Sequence, residues 1–408
     1  MTDIQTKAPQ AKNPSQAALD WIERLIAFDT TSRLSNLALI DDIAAYLAQH
    51  GVASDKIYDP TGKKANLYAT IGPRDVGGIV LSGHTDVVPV DGQPWTSDPF
   101  KVVRRDGRLY GRGTSDMKTF IALCLALLPE MLKQPLSVPL HFAFSYDEEV
   151  GCLGVHGIID FVKQGGPAPK LAIIGEPTEM QVVNAHKSVC ACNTTVHGFE
   201  AHSSATHQGV NAIQVAGELI AEMNRIQREY QKPEYCDPRF EPPYTTITVG
   251  EIHGGTARNI LARECKLVWD IRAVKPEHDH AIVEAVKRYA AEQLEPGMKR
   301  IHGQTGVDTQ VVAHVPAFLP IGDNPAETLA LKLAGQNRTQ AVAYGTEAGI
   351  FHVGGIPAVV CGPGNIREAH KPDEYIELSQ VAEGEAFLHR LIAFCRDGGS
   401  RSFLDQAA

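Results

Sequence analysis

The chain has 408 residues, of which 43% are hydrophobic and 21% charged, and its formal net charge is -10. Such a chain can bury a large core, but it exceeds the length that one core usually organises, so two domains are expected. Acidic residues are in excess and no basic block occurs, which excludes nucleic acid as a partner, because binding to phosphate depends on clustered Lys and Arg.

In chain order, "MTDIQTKAPQAKNPSQ" carries no apolar run and reads as a flexible tail over 1–16. No later stretch approaches the roughly 20 apolar residues that span a bilayer, so a cytoplasmic protein without a membrane partner is expected. Eight cysteines without CxxC or finger spacing read as reduced thiols. Helical spacing runs through "PSQAALDWIERLIAFDT" and "LALIDDIAAYLAQHG", the latter stopped by Gly51. The strand-like runs "NLYATIG", "GGIVLSGHTD", "GRLYGRG", "VPLHFAFSYDEE" and "LAIIGEP" follow, interleaved with helical "MKTFIALCLALLPEML" and "GVHGIIDFVKQG". That alternation predicts an α/β sheet covered on both faces, with ligands at the carboxyl ends of its strands.

From about residue 188 the texture changes to strand "VCACNTTVHG", helix "GVNAIQVAGELIAEMNRIQREY", strands "YTTITVGEIHGG" and "CKLVWDIRAV", helix "HDHAIVEAVKRYAAEQLE" and strand "TQVVAHV". This βαββαβ order predicts a ferredoxin-like insert over 188–316 with its own small sheet. The first architecture, 1–187, then resumes over 317–408 with "PAETLALKLAGQ", "GIPAVVCGPG" and a closing helix near "QVAEGEAFLHRLIAFC".

The strand ends of the larger domain share one chemistry. "IVLSGHTD" offers His84 and Asp86, which lie side by side if the strand persists. "GRGTSDMK" places Asp116 before a helix, where in isolation an N-cap is the usual reading. "SYDEEVG" supplies Glu148 and Glu149, which diverge in an extended segment, and "IIGEPTE" and "REAHKPDE" add Glu176 and His370. Each has an ordinary explanation alone, as a turn or a loop residue. Together they offer two imidazoles and four carboxylates at one rim, which suits zinc and related divalent ions with one acid left over as a base.

In order and spacing, "SGHTDVVP", "GRGTSDMK", "DEEVGCLG", "IIGEPTE" and "REAHKPDE" resemble the motifs of the di-zinc aminoacylase and carboxypeptidase family, over nearly the whole chain. The resemblance implies a zinc-peptidase-like α/β/α catalytic domain carrying an inserted lid and dimerisation domain. It implies two zinc ions, with cobalt as a substitute, bridged by Asp116; His84 and Glu176 complete one, Glu149 and His370 the other. Glu148 is then the general base toward the attacking water, Asp86 orients His84, and the Asp116–Met117 peptide is cis. Asp147 is left as a solvated or hydrogen-bonding loop residue. In the insert, "VHGFEAHSSATHQG" resembles a motif whose His, here His202, stabilises the tetrahedral intermediate from the partner subunit of a homodimer. "GGTARNILAREC" and "LVWDIRA" imply Asn259 and Arg272 on the substrate, the latter clamping a carboxylate, and the "GPG" stretch suggests close-approach backbone at Gly364.

Within the family, "YGTEAGIFHVGGIPAVVCGPGNIREAHKPDEYIEL" most resembles the acetylornithine deacetylases, which implies removal of acetate from N2-acetyl-L-ornithine in arginine biosynthesis. Succinyl-diaminopimelate desuccinylase, a broader N-acyl-amino-acid amidohydrolase and a non-catalytic binding module on the same fold stand as the alternatives.

Overall fold

The structure, a computed structural model, describes residues 13–320, 322–397 and 403. Residues 1–12 of the expected tail lie outside the described residues; the first helix, α1 (Gln16–Ile26), begins where Ser15 Oγ accepts the amide of Ala18 at 3.1 Å. Its residues Ala18, Ile22, Leu25 and Ile26 recur at helical spacing and are fully buried. There follow α2 (Leu37–Gln49), β1 (Ser54–Tyr58), β2 (Ala65–Ile71), β3 (Gly78–His84), a hairpin of β4 (Val103–Arg105) and β5 (Arg108–Tyr110), α3 (Lys118–Ala126), α4 (Leu128–Leu132), β6 (Leu140–Ser145), α5 (Val155–Lys163), β7 (Pro169–Pro177) and β8 (Val183–His186). The expected single helix "MKTFIALCLALLPEML" is divided into α3 and α4 at Leu127, because Pro129 has no amide to donate and suits only the first turn of a new helix.

The insert comprises β9 (Val189–His197), α6 (Ala212–Glu229), β10 (Thr246–Gly254), β11 (Glu264–Arg272), α7 (Pro276–Tyr289), α8 (Glu295–Ile301) and β12 (Gly306–Val315). Finally come α9 (Pro325–Ala334), β13 (Gln340–Val342), α10 (Ala348–Val353), β14 (Ala358–Gly362), β15 (Tyr375–Glu377) and α11 (Leu378–Arg396).

Eight strands form one sheet in the order β1-β2-β6-β3-β7-β14-β8-β13, and β6, β3, β7 and β14 run parallel. Every residue of β2, β3 and β6 is buried, as expected of strands covered on both faces. Gly175 of β7 permits the close approach of α3: a Cβ there would lie 2.0 Å from the Phe120 ring. In the insert, β10-β11-β9-β12 pair antiparallel throughout, the order a βαββαβ chain produces. Alternate residues of β9 and β11 turn inward, among them Cys190, Cys192, Val196, Leu267 and Trp269, and pack with Ala216, Leu219 and Ile282 of the helices.

The chain divides into two compact units, one ending at Asn184 and resuming over Pro320–Gln340 and from Thr346, the other Ala185–Leu319 with Ala341–Gly345. The insert thus starts three residues before 188 and ends three after 316, because Ala185, Leu319 and Ala341 pack around Phe240 and Val274 of that unit. All eight cysteines are free thiols, and only Cys236 is not buried. Among the described residues no helix is long and apolar enough to cross a membrane.

Candidate metal centre

The parallel strands of the large sheet deliver their carboxyl ends to one edge. His84 is the last residue of β3 and stands beside Ser145, the last of β6. Immediately beyond Ser145, Asp147 takes a left-handed φ of 55°, and the amides of Gly151 and Cys152 close onto the Glu148 carbonyl at 2.9 and 2.8 Å. The turn therefore presents Glu148 and Glu149 at the end of β6. Glu176 lies one residue from the end of β7, and His370 sits in the loop after β14. Asp116 immediately precedes Met117, the residue that caps α3, and the Asp116–Met117 peptide is cis.

Asp116 occupies the middle of the cluster. Its Oδ1 is 3.1 Å from His84 Nε2, and its Oδ2 is 3.1 Å from His370 Nε2. Glu149 Oε2 is 3.0 Å from His370 Nε2, whereas Glu176 Oε1 and Glu148 Oε2 stand 3.8 and 4.0 Å from His84 Nε2. Ligand atoms of His84, Asp116 and Glu149 all lie within 4.8 Å of one another, as do those of His84, Glu148 and Glu176. So five of the six ligand and base candidates of the large domain fall in two groups sharing His84, and His370 joins them through Asp116 and Glu149.

The electrostatics of the cluster follow from this crowding. Burial, opposed by His84 and reinforced by Glu149 and Asp116, pushes Glu148 up to about 8. Burial and the Asp116 charge push Glu149 up to about 7, and Glu176 is raised well above the carboxylate range for the same reasons. Against its own burial, Asp116 is held well below that range by hydrogen bonds from His370 and His84. Glu176 Oε1 is buried without any hydrogen-bond partner. An orphaned carboxylate oxygen among four acids and two imidazoles has a natural partner in a dication, and this donor set fits zinc or a close relative.

The supporting contacts depart in detail from the sequence expectation. Because β3 ends at His84, Asp86 does not stand alongside it in a strand; His84 Nδ1 donates to the Asp86 carbonyl at 2.9 Å, with the carboxylate further off at 3.6 Å. That contact turns Nε2 toward Asp116. The Asp86 carboxylate instead accepts the Ser32 hydroxyl at 2.7 Å and the amides of Glu148 and Glu149 at 3.1 and 3.3 Å, fixing the acidic turn. Asp147, expected as a solvated or hydrogen-bonding loop residue, is of the second kind, partly buried and paired with Lys64 at 2.5 and 2.7 Å.

Two residues that the motifs did not single out also adjoin the cluster. The Cys152 thiol, raised well above its usual pKa by burial, donates to Glu148 Oε1 at 3.2 Å. Glu347, fully buried, accepts the Ser82 hydroxyl at 2.8 Å and that of Ser145, joining the ends of β3 and β6 from below. Both lie in quoted stretches, "DEEVGC" and "YGTEAG". An isolated Cys or Glu on a sequence carries no sign of burial, so neither could be distinguished there.

The remaining candidates divide between the units. Gly364, in the large unit, has φ 98°, and a Cβ there would lie 2.8 Å from Ser115 Oγ; its amide points to Gln380 Oε1 at 3.4 Å. His202, Asn259 and Arg272 belong to the insert unit. The first two are neighbours, since the amide of Ser203 donates to the Asn259 carbonyl at 3.1 Å and His202 bridges Ile260. His202 Nδ1 is engaged by Ser204 Oγ at 2.8 Å, which leaves Nε2 as the outward nitrogen. Arg272, at the end of β11, pairs through Nε with Asp270 at 2.6 Å.

Comparison with known proteins adds a family and a fold. The model of "Peptidase family M20/M25/M40" matches residues 80–393. The acetylornithine deacetylase of Myxococcus xanthus is 36% identical over 388 residues, covering 92% of this chain and 96% of the relative. Among solved structures, an M20 family metallo-carboxypeptidase from Sulfolobus solfataricus superposes with a TM-score of 0.69 at 17% identity, covering 96% of this chain and 99% of its own. A dinuclear metal binding peptidase of the M20 family from Bacillus subtilis gives 0.62 at 16%, covering 93% and 98%.

Proposed function

The chain belongs to peptidase family M20/M25/M40, and on that premise we propose that it hydrolyses the amide of N2-acetyl-L-ornithine, releasing acetate and L-ornithine in arginine biosynthesis. That it is an enzyme acting on an amide follows from the family and its 36% identical relative. The substrate rests on the relative's name. The observation that carries the mechanism is the position of Asp116, with one oxygen toward each imidazole and Glu148 alongside.

In this reading His84, Asp116 and Glu176 would hold one divalent ion and Asp116, Glu149 and His370 a second, zinc most naturally and cobalt as a substitute. Such ions, when bound, lower the pKa of water toward neutrality and polarise a carbonyl. Glu148 takes the proton of the attacking water and returns it to the departing amine, so it must be ionised at the start of the cycle. Cations nearby would bring its elevated pKa down to serve that task. Asp86 holds the amides of Glu148 and Glu149, and Cys152 occupies the Glu148 oxygen that does not face His84. His202 stabilises the oxyanion from a partner subunit, Asn259 orients the substrate, and Arg272 holds its α-carboxylate by bidentate donation. Gly364, packed on Ser115, shapes the pocket wall through its backbone. Association through the insert is supported by β10, an edge strand of that sheet, and by exposed Ile252, Val268, Val311 and Val312 on its strands.

The test is release of primary amine from N2-acetyl-ornithine, N-succinyl-diaminopimelate and acetyl-methionine by enzyme stripped of metal and then reloaded with zinc or cobalt. Metal-dependent preference for acetyl-ornithine is expected. Preference for another substrate would move the specificity to a desuccinylase or a broader amidohydrolase, and no metal-dependent hydrolysis would point to a binding module.

A further inference from the structure

Strands fix His84 and Glu176, but Asp116 and His370 stand on loops. His370 has φ 62° and Asp373 φ 54°, a backbone region that residues with a side chain seldom adopt. Something must hold this loop in place.

A continuous run of polar contacts does so. Gln93 Nε2 donates to the His370 carbonyl at 3.0 Å, and Gln93 Oε1 accepts from Arg112 Nη2 at 2.6 Å. Arg112 Nη1 donates to Glu374 Oε2 at 2.8 Å, and both of these side chains are 1% exposed. The indole of Trp95 covers the guanidinium at 5.1 Å. The other oxygen, Glu374 Oε1, accepts three backbone amides, from Gly113, Ser115 and Asp116, at 3.0, 2.8 and 3.1 Å. A second tie runs beside it, in which the amide and hydroxyl of Thr96 donate to Asp373 Oδ1 at 2.9 and 3.0 Å.

A buried ion pair gains little for stability by itself, because desolvating both charges offsets their attraction. Its value here is geometric: one carboxylate gathers the turn that ends in Asp116, and through Arg112 and Gln93 the same contacts reach the carbonyl of His370. We propose that Gln93, Arg112 and Glu374 form a clamp that presets the distance between Asp116 and His370, and thereby the affinity of the metal position those two residues share with Glu149. All three are positioning residues. The position at His84 and Glu176 shares Asp116 but takes its other ligands from β3 and β7, and Gln93 reaches only the His370 carbonyl, so loss of Gln93 acts on the position at His370. This inference rests on the two-metal reading of the site.

The test uses the full-length protein, stripped of metal and titrated with Zn2+ against a chromogenic chelator, as wild type and as Gln93→Ala, which cuts the tether without stranding a buried charge. Wild type should take up two ions. In Gln93→Ala one ion should bind about 10–100-fold more weakly, the usual effect of losing an outer-shell partner, while the other is unchanged and the stripped protein melts as wild type does. In a His370→Ala background, Gln93→Ala should cause no further loss. Wild-type binding of both ions by Gln93→Ala, equal weakening of both, or an undiminished effect in the His370→Ala background would overturn the clamp. Uptake of fewer than two ions by wild type would overturn the two-metal reading itself, and the clamp with it.

Discussion

Glu148 and Glu149 are adjacent in sequence, yet their carboxylates approach different imidazoles, His84 and His370. The left-handed Asp147 and the amides captured by Asp86 impose that divergence. The two acids should therefore respond differently to mutation. Glu148→Gln should retain both metal ions while losing about 10²–10⁴-fold in kcat, the range typical of a general base. Asp116→Ala should lose metal together with activity, and elemental analysis of the purified variants separates the two outcomes. Equal metal loss in both would contradict the division of roles. The ligands themselves were legible because His, Asp and Glu recur just past apolar runs whose ends converge in any parallel sheet. Glu374, four residues after His370 in the quoted "REAHKPDE", was not legible, because its partners are three backbone amides more than 250 residues away in the chain.

Among elements, the long strongly patterned ones were readable and β5 lay within the quoted "GRLYGRG", while β4, β8 and β13 were not. Those segments span only three or four residues each, too few to show alternation. The packing of α3 on β7 was invisible as well, since it turns on one missing side chain. Gly175→Ala should destabilise the protein by about 1–3 kcal/mol through overpacking against Phe120. Denaturant melts should show part of that loss recovered in the double variant with Phe120→Leu, because the two positions touch. In the insert, β12 is tied to the start of α7 by His314 Nε2 and Asp279 Oδ2 at 2.8 Å. The hydrogen bond to Asp279 raises the His314 pKa, and, against its burial, Asp279 is lowered by the same contact. A raised His stabilises fully below its unfolded value of about 6.5 and loses that contribution as pH rises through its folded value; a lowered Asp stabilises above about 4 and loses its contribution as pH falls through its folded value. The pair should thus favour the fold most between roughly pH 4 and 6.5. His314→Gln should flatten the decline in melting temperature above that window, read by scanning calorimetry across pH.

At the scale of the whole molecule, four carboxylates, two buried and two half-buried, around two imidazoles make the centre costly to fold without cations. Chelation should lower the melting temperature, and graded zinc should restore it in a concentration-dependent way, as linkage requires for any ion bound only by the folded state. The shared-site reading of His202 makes its own prediction. Mixing His202→Ala with Glu148→Gln subunits should recover about a quarter to a half of wild-type turnover per mixed dimer, of the order that effective catalysis in one of two sites allows. No recovery in confirmed mixed dimers would assign His202 to its own subunit's chemistry. A different use follows from the distribution of sulfur. Seven of the eight thiols are buried and Cys236, on the connector between α6 and β10, is not. The unmodified protein therefore offers one addressable anchor for a maleimide dye on that connector, without any engineered label site.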